Sequence, residues 1–518
     1  MPSQPNIVFI MADQLAAGFV GCYGSGVDST PTLDRLASEG VRFTRAYAHS
    51  PICAPNRATI LTGRSNEIHG IVVNNLQLGT ENPTYPMVLQ RRGYRTGGYG
   101  KFHLTSMQLP LPEDFAYLGY DESISTEDPR LGPWLDWIAR EHPDYYGPAL
   151  ATCWPMPYLD RYGPDQRDLR PEWEAARAEF LQPRVAASGW SLIYTHPLPA
   201  ELNQTTYITS CGIDFMERHL AEHPDRPFMC HMSYVNPHDP YDPPEPYDTM
   251  FAPVEMPDPL PMAWEGIGVY EKHRRNFHRF GEYAADVRNV RRMRAMYHGS
   301  IRLIDDQIGR VVRFLEERGL ADNTLICFTT DHGDMMGDHG LITKGAMHYD
   351  KSVRVPLIVW GGDTARGLVS DRLTTSLDLF PTLCQWGGAG LLPPHEGRTL
   401  LPVLHGEPDP DPWEEITIQV QTTRSIITTE GWRLSLLKPD RCGQMFDLVN
   451  DPDEQRDLYG QAEAWPIQAE LMERHVYAYM RAMETWRYER LPLDGGRPMM
   501  PGPTMATPLE PAYPGNDD

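Results

Sequence analysis

The chain has 518 residues, of which 41% are hydrophobic and 22% charged, the ordinary make-up of a soluble globular protein. Its 46 lysines and arginines face 70 aspartates and glutamates, for a net charge of −24. That balance excludes the basic footprint of a nucleic-acid binder and argues against an anionic membrane surface, so an anionic substrate needs a locally positive pocket.

The first predicted element is a strand over residues 7–11, an unbroken apolar run typical of strands buried on both faces. The run lacks a basic start and a cleavage site and is too short for a signal peptide or a membrane span. Together with eight scattered cysteines and no CxxC, this predicts a cytoplasmic protein with reduced, mostly buried thiols. A helix follows in STPTLDRLASEG, with Thr30 as expected N-cap, Pro31 in its first turn and Gly40 at its end. SPICAPNRATILTG then sets a cysteine, a proline and an arginine within five residues before another helical stretch. The pattern suits an anion site at a helix start, or a cysteine held there for its chemistry. A short run near Thr96 leads into GYGKFHL.

Residues from about 106 to 200 are rich in proline, tyrosine and tryptophan (Trp134, Trp137, Trp154, Trp173, Trp190) and weakly periodic. They read as an insertion over the sheet, either building a substrate pocket or packing on itself. Further strands are predicted at 228–235, 324–329 and 355–360. A long helix precedes the second of these, with Ile301, Ile304, Ile308, Val311 and Leu315 on one face and Gly319 as its stop. This alternation predicts an α/β fold, a large mostly parallel sheet sandwiched by helices. From about Glu414 the β-branched residues and turns predict a smaller C-terminal α+β subdomain with a short antiparallel sheet, and residues 465–486 read as a helix. The expected division is 1–410, 411–490 and a proline-rich tail at 491–518, which hints at a subunit contact and so at a homo-oligomer.

In such a sheet, ligands bind beyond the carboxyl ends of the strands. Asp13 and Gln14 follow the first strand. Asp331, His332 and Asp334 follow the strand at 324, Asn236 and His238 the strand at 228, and Lys101 and His103 the run near Thr96. Any one of these is unremarkable as a helix cap or turn residue; four segments together are not. Asp13 and Asp331 are expected to converge, and unpaired buried carboxylates repel. A divalent cation resolves this, with Gln14 and His332 as further ligands, and the donor set leaves Ca²⁺ and Mn²⁺ open. Arg57, Lys101, His103, His238 and Lys344 complete a cationic pocket for a tetrahedral anion.

CAPNRATILTG resembles the sulfatase signature Cys-x-Pro-x-Arg followed by Thr-Gly, and GYRTGGYGKFH resembles the second sulfatase signature, built on Gly-Lys-x-His. TTDHGDMMGDHG, RVPLIVWG and MFDLVNDPDEQRDL are similar to sulfatase segments in the same order, so the likeness spans nearly the whole chain. It lies within the alkaline phosphatase superfamily, near the choline sulfatase and phosphonate monoester hydrolase branch.

The resemblance implies that Cys53 is oxidised to formylglycine by a formylglycine-generating enzyme, and that the hydrated aldehyde attacks sulfur and forms a covalent sulfated intermediate. It further implies that Asp13, Gln14, Asp331 and His332, with the residue at 53, hold the metal, and that Arg57 orients the nucleophile. Lys101 and Lys344 then bind sulfate oxygens, His238 protonates the leaving alcohol and His103 helps to break the intermediate. Asn74 is the candidate contact to the substrate anion, with Asn75 as its alternative. Asp-Gln and Asp-His stand where many sulfatases have Asp-Asp and Asp-Asn, which removes one negative charge from the metal shell. The implied activity is hydrolysis of a small-molecule sulfate ester. Phosphonate monoester or phosphodiester hydrolysis on the same scaffold is the alternative, and a catalytically silent anion-binding protein a more distant one.

Overall fold

The computed structural model describes residues 4–112, 114–261, 286–345, 348–420, 423–438, 442–489, 493–494 and 497–498. Strand β1 (Asn6–Ala12) runs through the middle of an eight-stranded sheet and is buried along its whole length. Its alternate side chains enter two different cores, Val8, Ile10 and Ala12 on one face and Ile7, Phe9 and Met11 on the other. A strand covered on both faces must be apolar at every position, which is why this run does not alternate.

The sheet order is β5 (Glu122–Ser125), β4 (Arg95–Gly100), β6 (Phe228–Ser233), β1, β7 (Thr324–Thr330), β8 (Leu357–Trp360), β2 (Val41–Phe43) and β9 (Leu368–Ser370). The first five are mutually parallel, with Ile7 opposite Met229 and Leu325. β8 is antiparallel to both β7 and β2. It starts after Pro356, two residues later than the sequence predicts. β3 (Ala46–Tyr47) and β10 (Thr374–Thr375) form a separate two-residue ladder.

One face is covered by the helices Val287–Glu317 and Gln204–Glu222, through Ile301, Ile304, Ile308, Val311 and Leu315 and through Ile208, Phe215 and Met216. Gly319 adopts a left-handed φ of 65° just past the first of these, as a helix stop requires. The other face is covered by α2 (Cys53–Thr62) and the helix Leu379–Trp386. Helix α1 (Pro31–Glu39) has Thr30 at its N-cap position, but the Thr30 side chain makes no cap bond. The Asp305 carboxylate, from the long helix, accepts from the N–H groups of Thr32 and Leu33 instead, at 2.8 and 2.9 Å. A tertiary contact has replaced the expected local cap.

The stretch read as an insertion divides in two. Its early part contributes β5, the edge strand of the main sheet. Its helices, including Pro133–Glu141 and Tyr146–Thr152, gather Trp134, Leu135, Ile138, Leu150 and Tyr158 into a core of their own. The C-terminal part is a four-stranded antiparallel sheet of β11 (Glu415–Val420), β12 (Thr423–Thr428), β13 (Trp432–Leu437) and β14 (Cys442–Asp447). The helix Trp465–Glu489 packs on it through Ile467 and Leu471. Apart from Leu493–Asp494 and Arg497–Pro498, the expected tail lies outside the described residues. Among the described residues, no helix is long and apolar enough to cross a membrane.

Candidate active site

The carboxyl ends of β1, β4, β6 and β7 deliver their polar residues to the start of α2. Cys53 is the first residue of that helix and is 1% exposed. Its Sγ lies 3.2 Å from His332 Nε2 and 3.9 Å from Asp13 Oδ1. Asp13, Cys53, Asp331 and His332 are all buried and offer ligand atoms within 4.8 Å of one another. One turn along α2, Arg57 is fully buried beneath them. It donates from Nε to Asp331 Oδ2 at 2.7 Å, from Nη2 to Asp13 Oδ2 at 2.8 Å, and from Nη1 to the Lys101 carbonyl and Ser233 Oγ. The guanidinium fork ties the carboxyl ends of four strands, β1, β4, β6 and β7, to one helix and offsets the charge of both carboxylates.

Lys101 Nζ sits 2.5 Å from Asp13 Oδ2 and donates to both oxygens of Asp128 at 2.6 and 2.7 Å. Lys344 Nζ, half-buried, donates to Gln14 Oε1 and contacts His238 Nε2, each at 2.6 Å. His238 Nδ1 lies 2.7 Å from the Asp239 carbonyl, so Nδ1 carries a proton and Nε2 is the end that faces the site. Gln14 has a left-handed φ of 64° and donates through Nε2 to Asp334 and Asp239 at 2.5 and 3.3 Å. His103 also has positive φ and is buried, with its ring beside the Cys53 thiol. Asn74 Oδ1 accepts from Ala54 N–H at 3.1 Å and so caps α2, while the exposed Asn75 accepts from Met107 N–H.

The electrostatics favour an anion at position 53. Burial pushes the Cys53 thiol up, but Lys101, Lys344, His332 and His103 outweigh it and hold the thiol well below its usual value. Burial and Cys53 raise Asp13; Lys101, Arg57 and His238 hold it below the usual carboxylate range all the same. Burial and Lys344 lower His238, yet Asp239, Asp128 and Asp13 carry it up to about 9.

The donor set fits a divalent cation. Two fully buried carboxylates face one another with only part of their oxygens used by Arg57, Lys101 and backbone N–H groups. His332 Nδ1 is committed to the Gly333 carbonyl at 3.0 Å, which leaves the Nε2 lone pair pointing at Cys53. Asp13, Asp331 and His332 would hold the ion, with Gln14 beside them.

Several residues here escape a reading of the sequence. Asp128 holds Lys101; Glu127 accepts from the backbone N–H groups of Phe102 and His103, both at 2.9 Å. Both follow β5, so the rule of strand carboxyl ends would have found them had β5 been visible. Ser233, whose Oγ accepts from Arg57 Nη1, and Asn56, whose Nδ2 donates to the Asp331 carbonyl, carry no sequence signal of their own.

A family model described as Sulfatase matches residues 5–389, and one described as N-sulphoglucosamine sulphohydrolase, C-terminal, matches 337–479. An arylsulfatase of Clostridium perfringens is 30% identical over 473 residues, covering 89% of this chain and 91% of that protein. A multifunctional alkaline phosphatase superfamily protein of Trinickia caryophylli is 28% identical over 506 residues, covering 88% and 92%. Among solved structures, a phosphonate monoester hydrolase of Silicibacter pomeroyi superposes with a TM-score of 0.72 over 92% of this chain and 96% of that one, at 23% identity, and shares the fold.

Proposed function

The chain belongs to the sulfatase family, and from that premise we propose that it hydrolyses a small sulfate ester at its S–O bond, with position 53, matured to formylglycine, as the nucleophile. One observation carries the reading most strongly. Burial pushes the thiols of Cys22, Cys153, Cys211, Cys230, Cys327 and Cys384 upward, while Cys53, buried like the deepest of them, is pulled the other way by the cations around it. A pocket that holds negative charge at that point is a pocket for a sulfate group and for the charge that develops on it.

A divalent cation on Asp13, Asp331 and His332 supplies positive charge that polarises the oxygens it touches, and formylglycine supplies the oxygen nucleophile that a thiol lacks. The rest is done by this chain's own side chains. Lys101 and Lys344 bind sulfate oxygens, and Lys344 exchanges His238 and Gln14 for them. Arg57 keeps Asp13 and Asp331 in place. His238 gives its Nε2 proton to the departing alcohol oxygen. His103 takes a proton beside position 53. The partners implied are the ester and a formylglycine-generating enzyme.

A second reading, hydrolysis of a phosphonate monoester or phosphodiester, is favoured by Gln14 and His332. The Asp13-Gln14 and Asp331-His332 pairs resemble those of the phosphonate monoester hydrolase branch, and a phosphonate monoester or phosphodiester carries one negative charge, as a sulfate ester does. Matched nitrophenyl sulfate and nitrophenyl phenylphosphonate esters separate the two. The sulfate should be turned over with the higher kcat/KM, and the Cys53→Ala variant should turn over neither. A higher kcat/KM on the phosphonate overturns the first reading in favour of the second. No turnover of either by converted protein overturns both and leaves an anion-binding protein.

A further inference from the structure

Lys101, His103 and His238 come from two different strands, and the chemistry proposed for them needs a fixed spacing. Residues 126–130, just after β5, supply it. Glu127 holds the backbone of His103 and Asp128 holds the Lys101 ammonium with both oxygens. Two residues on, Arg130 forms a two-pronged pair with Asp242, Nη1 to Oδ2 at 2.6 Å and Nη2 to Oδ1 at 2.9 Å. The side chains are 5% and 1% exposed. Asp242 lies four residues after His238, in the same loop. The same segment anchors the insertion. The Trp154 N–H donates to the Pro129 carbonyl at 3.1 Å, and the Trp154 ring stands 6.4 Å from the His238 ring. Cys153 Sγ donates to the Arg130 carbonyl at 3.4 Å.

A buried ion pair gains little stability over apolar side chains of the same volume, because desolvation offsets the attraction. What a bidentate pair does provide is one distance and one orientation between the segments it joins. We propose that Arg130 and Asp242 are a positioning pair. They hold the proton donor His238 at a fixed separation from the Lys101 and His103 side, so that the proton reaches the alcohol oxygen as the S–O bond breaks. This rests on the role given to His238 above. Neither residue touches the substrate.

The test uses converted, full-length protein and two sulfate esters, one with a good leaving group (nitrophenol) and one with a poor one (phenol). Two variants disturb the pair differently. Arg130→Lys keeps the charge and loses the fork; Arg130→Met combined with Asp242→Leu removes both charges and fills the space. Each is expected to lower kcat roughly 100-fold on the phenyl ester and only about 3-fold on the nitrophenyl ester, since a good leaving group needs little help from an acid. KM and the melting temperature should stay near wild type in the double variant. Equal losses on both esters, or no loss on either, overturn the proposal.

His238→Asn in the same assay separates the failure of this proposal from the failure of its premise. If His238→Asn shows the larger loss on the phenyl ester and the pair variants do not, only the positioning role falls. If His238→Asn slows both esters alike, the proton-donor role falls and the positioning role with it.

Discussion

At the floor of the site the side chains of Asp13, Asp331, His332, Arg57 and Lys101 are fully buried; at its mouth Lys344 is half-buried and the Asp239 side chain is 20% exposed. The floor is over-determined. Arg57 alone makes four bonds there, to Asp331, Asp13, Ser233 and the Lys101 carbonyl. The mouth is held by groups bonded to each other, with Lys344 between Gln14 and His238. The contrast separates two demands on one site. Charges that must hold still are paired in advance, in a place where water cannot reorganise around them. Charges that must receive a substrate keep partners they can give up without leaving a buried ion alone.

The contrast can be broken by substitution, and the expected effects fall in a clear order. Cys53→Ala should lower kcat by roughly 10⁶-fold, the scale of losing a covalent nucleophile, with little change in melting temperature. Arg57→Ala should abolish activity and also cost about 3–5 kcal/mol of stability, measured by denaturant unfolding, because it strands two buried carboxylates. A mouth substitution, Lys344→Ala, should lower kcat/KM and leave unfolding unchanged; an equal loss of stability would erase the distinction between floor and mouth. Removing divalent cations with a chelator should abolish turnover and lower the melting temperature. Restoring the metal at about 100 times its Kd returns roughly 2.7 kcal/mol, and whether Ca²⁺ or Mn²⁺ restores more activity identifies the ion.

The pH profile sharpens the same comparison. His238 is raised to about 9, so its acid form prevails below that pH and is lost above it. The kcat/KM for a poor leaving group should therefore fall as pH rises through about 9, and His238→Asn should remove that limb. The smallest effect expected is from Asn74→Ala, which removes the bond to Ala54 N–H and costs about 1 kcal/mol as a lost helix cap. A rise in KM beyond that would place Asn74 on the substrate as well.

Much of the frame is legible in the sequence because the signals are local. The apolar run of β1, the one-sided stripe of the helix Val287–Glu317 and the strand ends bearing Asp13, Asp331 and His238 all follow from periodicity and topology. What is hidden is tertiary. β4, legible only as a short run near Thr96, holds three glycines in six residues, which weakens its strand propensity. An added Cβ at Gly97 would stand 2.9 Å from Phe215 and one at Gly98 2.7 Å from Tyr120, so packing of neighbouring rings selects glycine there. β5 is short, polar and at an edge, and with it went Glu127, Asp128 and Arg130. The Asp305 cap on α1 joins residues more than 270 positions apart, which no local pattern reports.

The measurement that bears most directly on the central claim is the mass of the tryptic peptide 46–57 from a preparation shown to hydrolyse a sulfate ester. An aldehyde in place of the Cys53 thiol, trapped by a hydrazide with parallel loss of activity, is the result predicted. An intact thiol at position 53 in protein that turns over the ester would contradict the account.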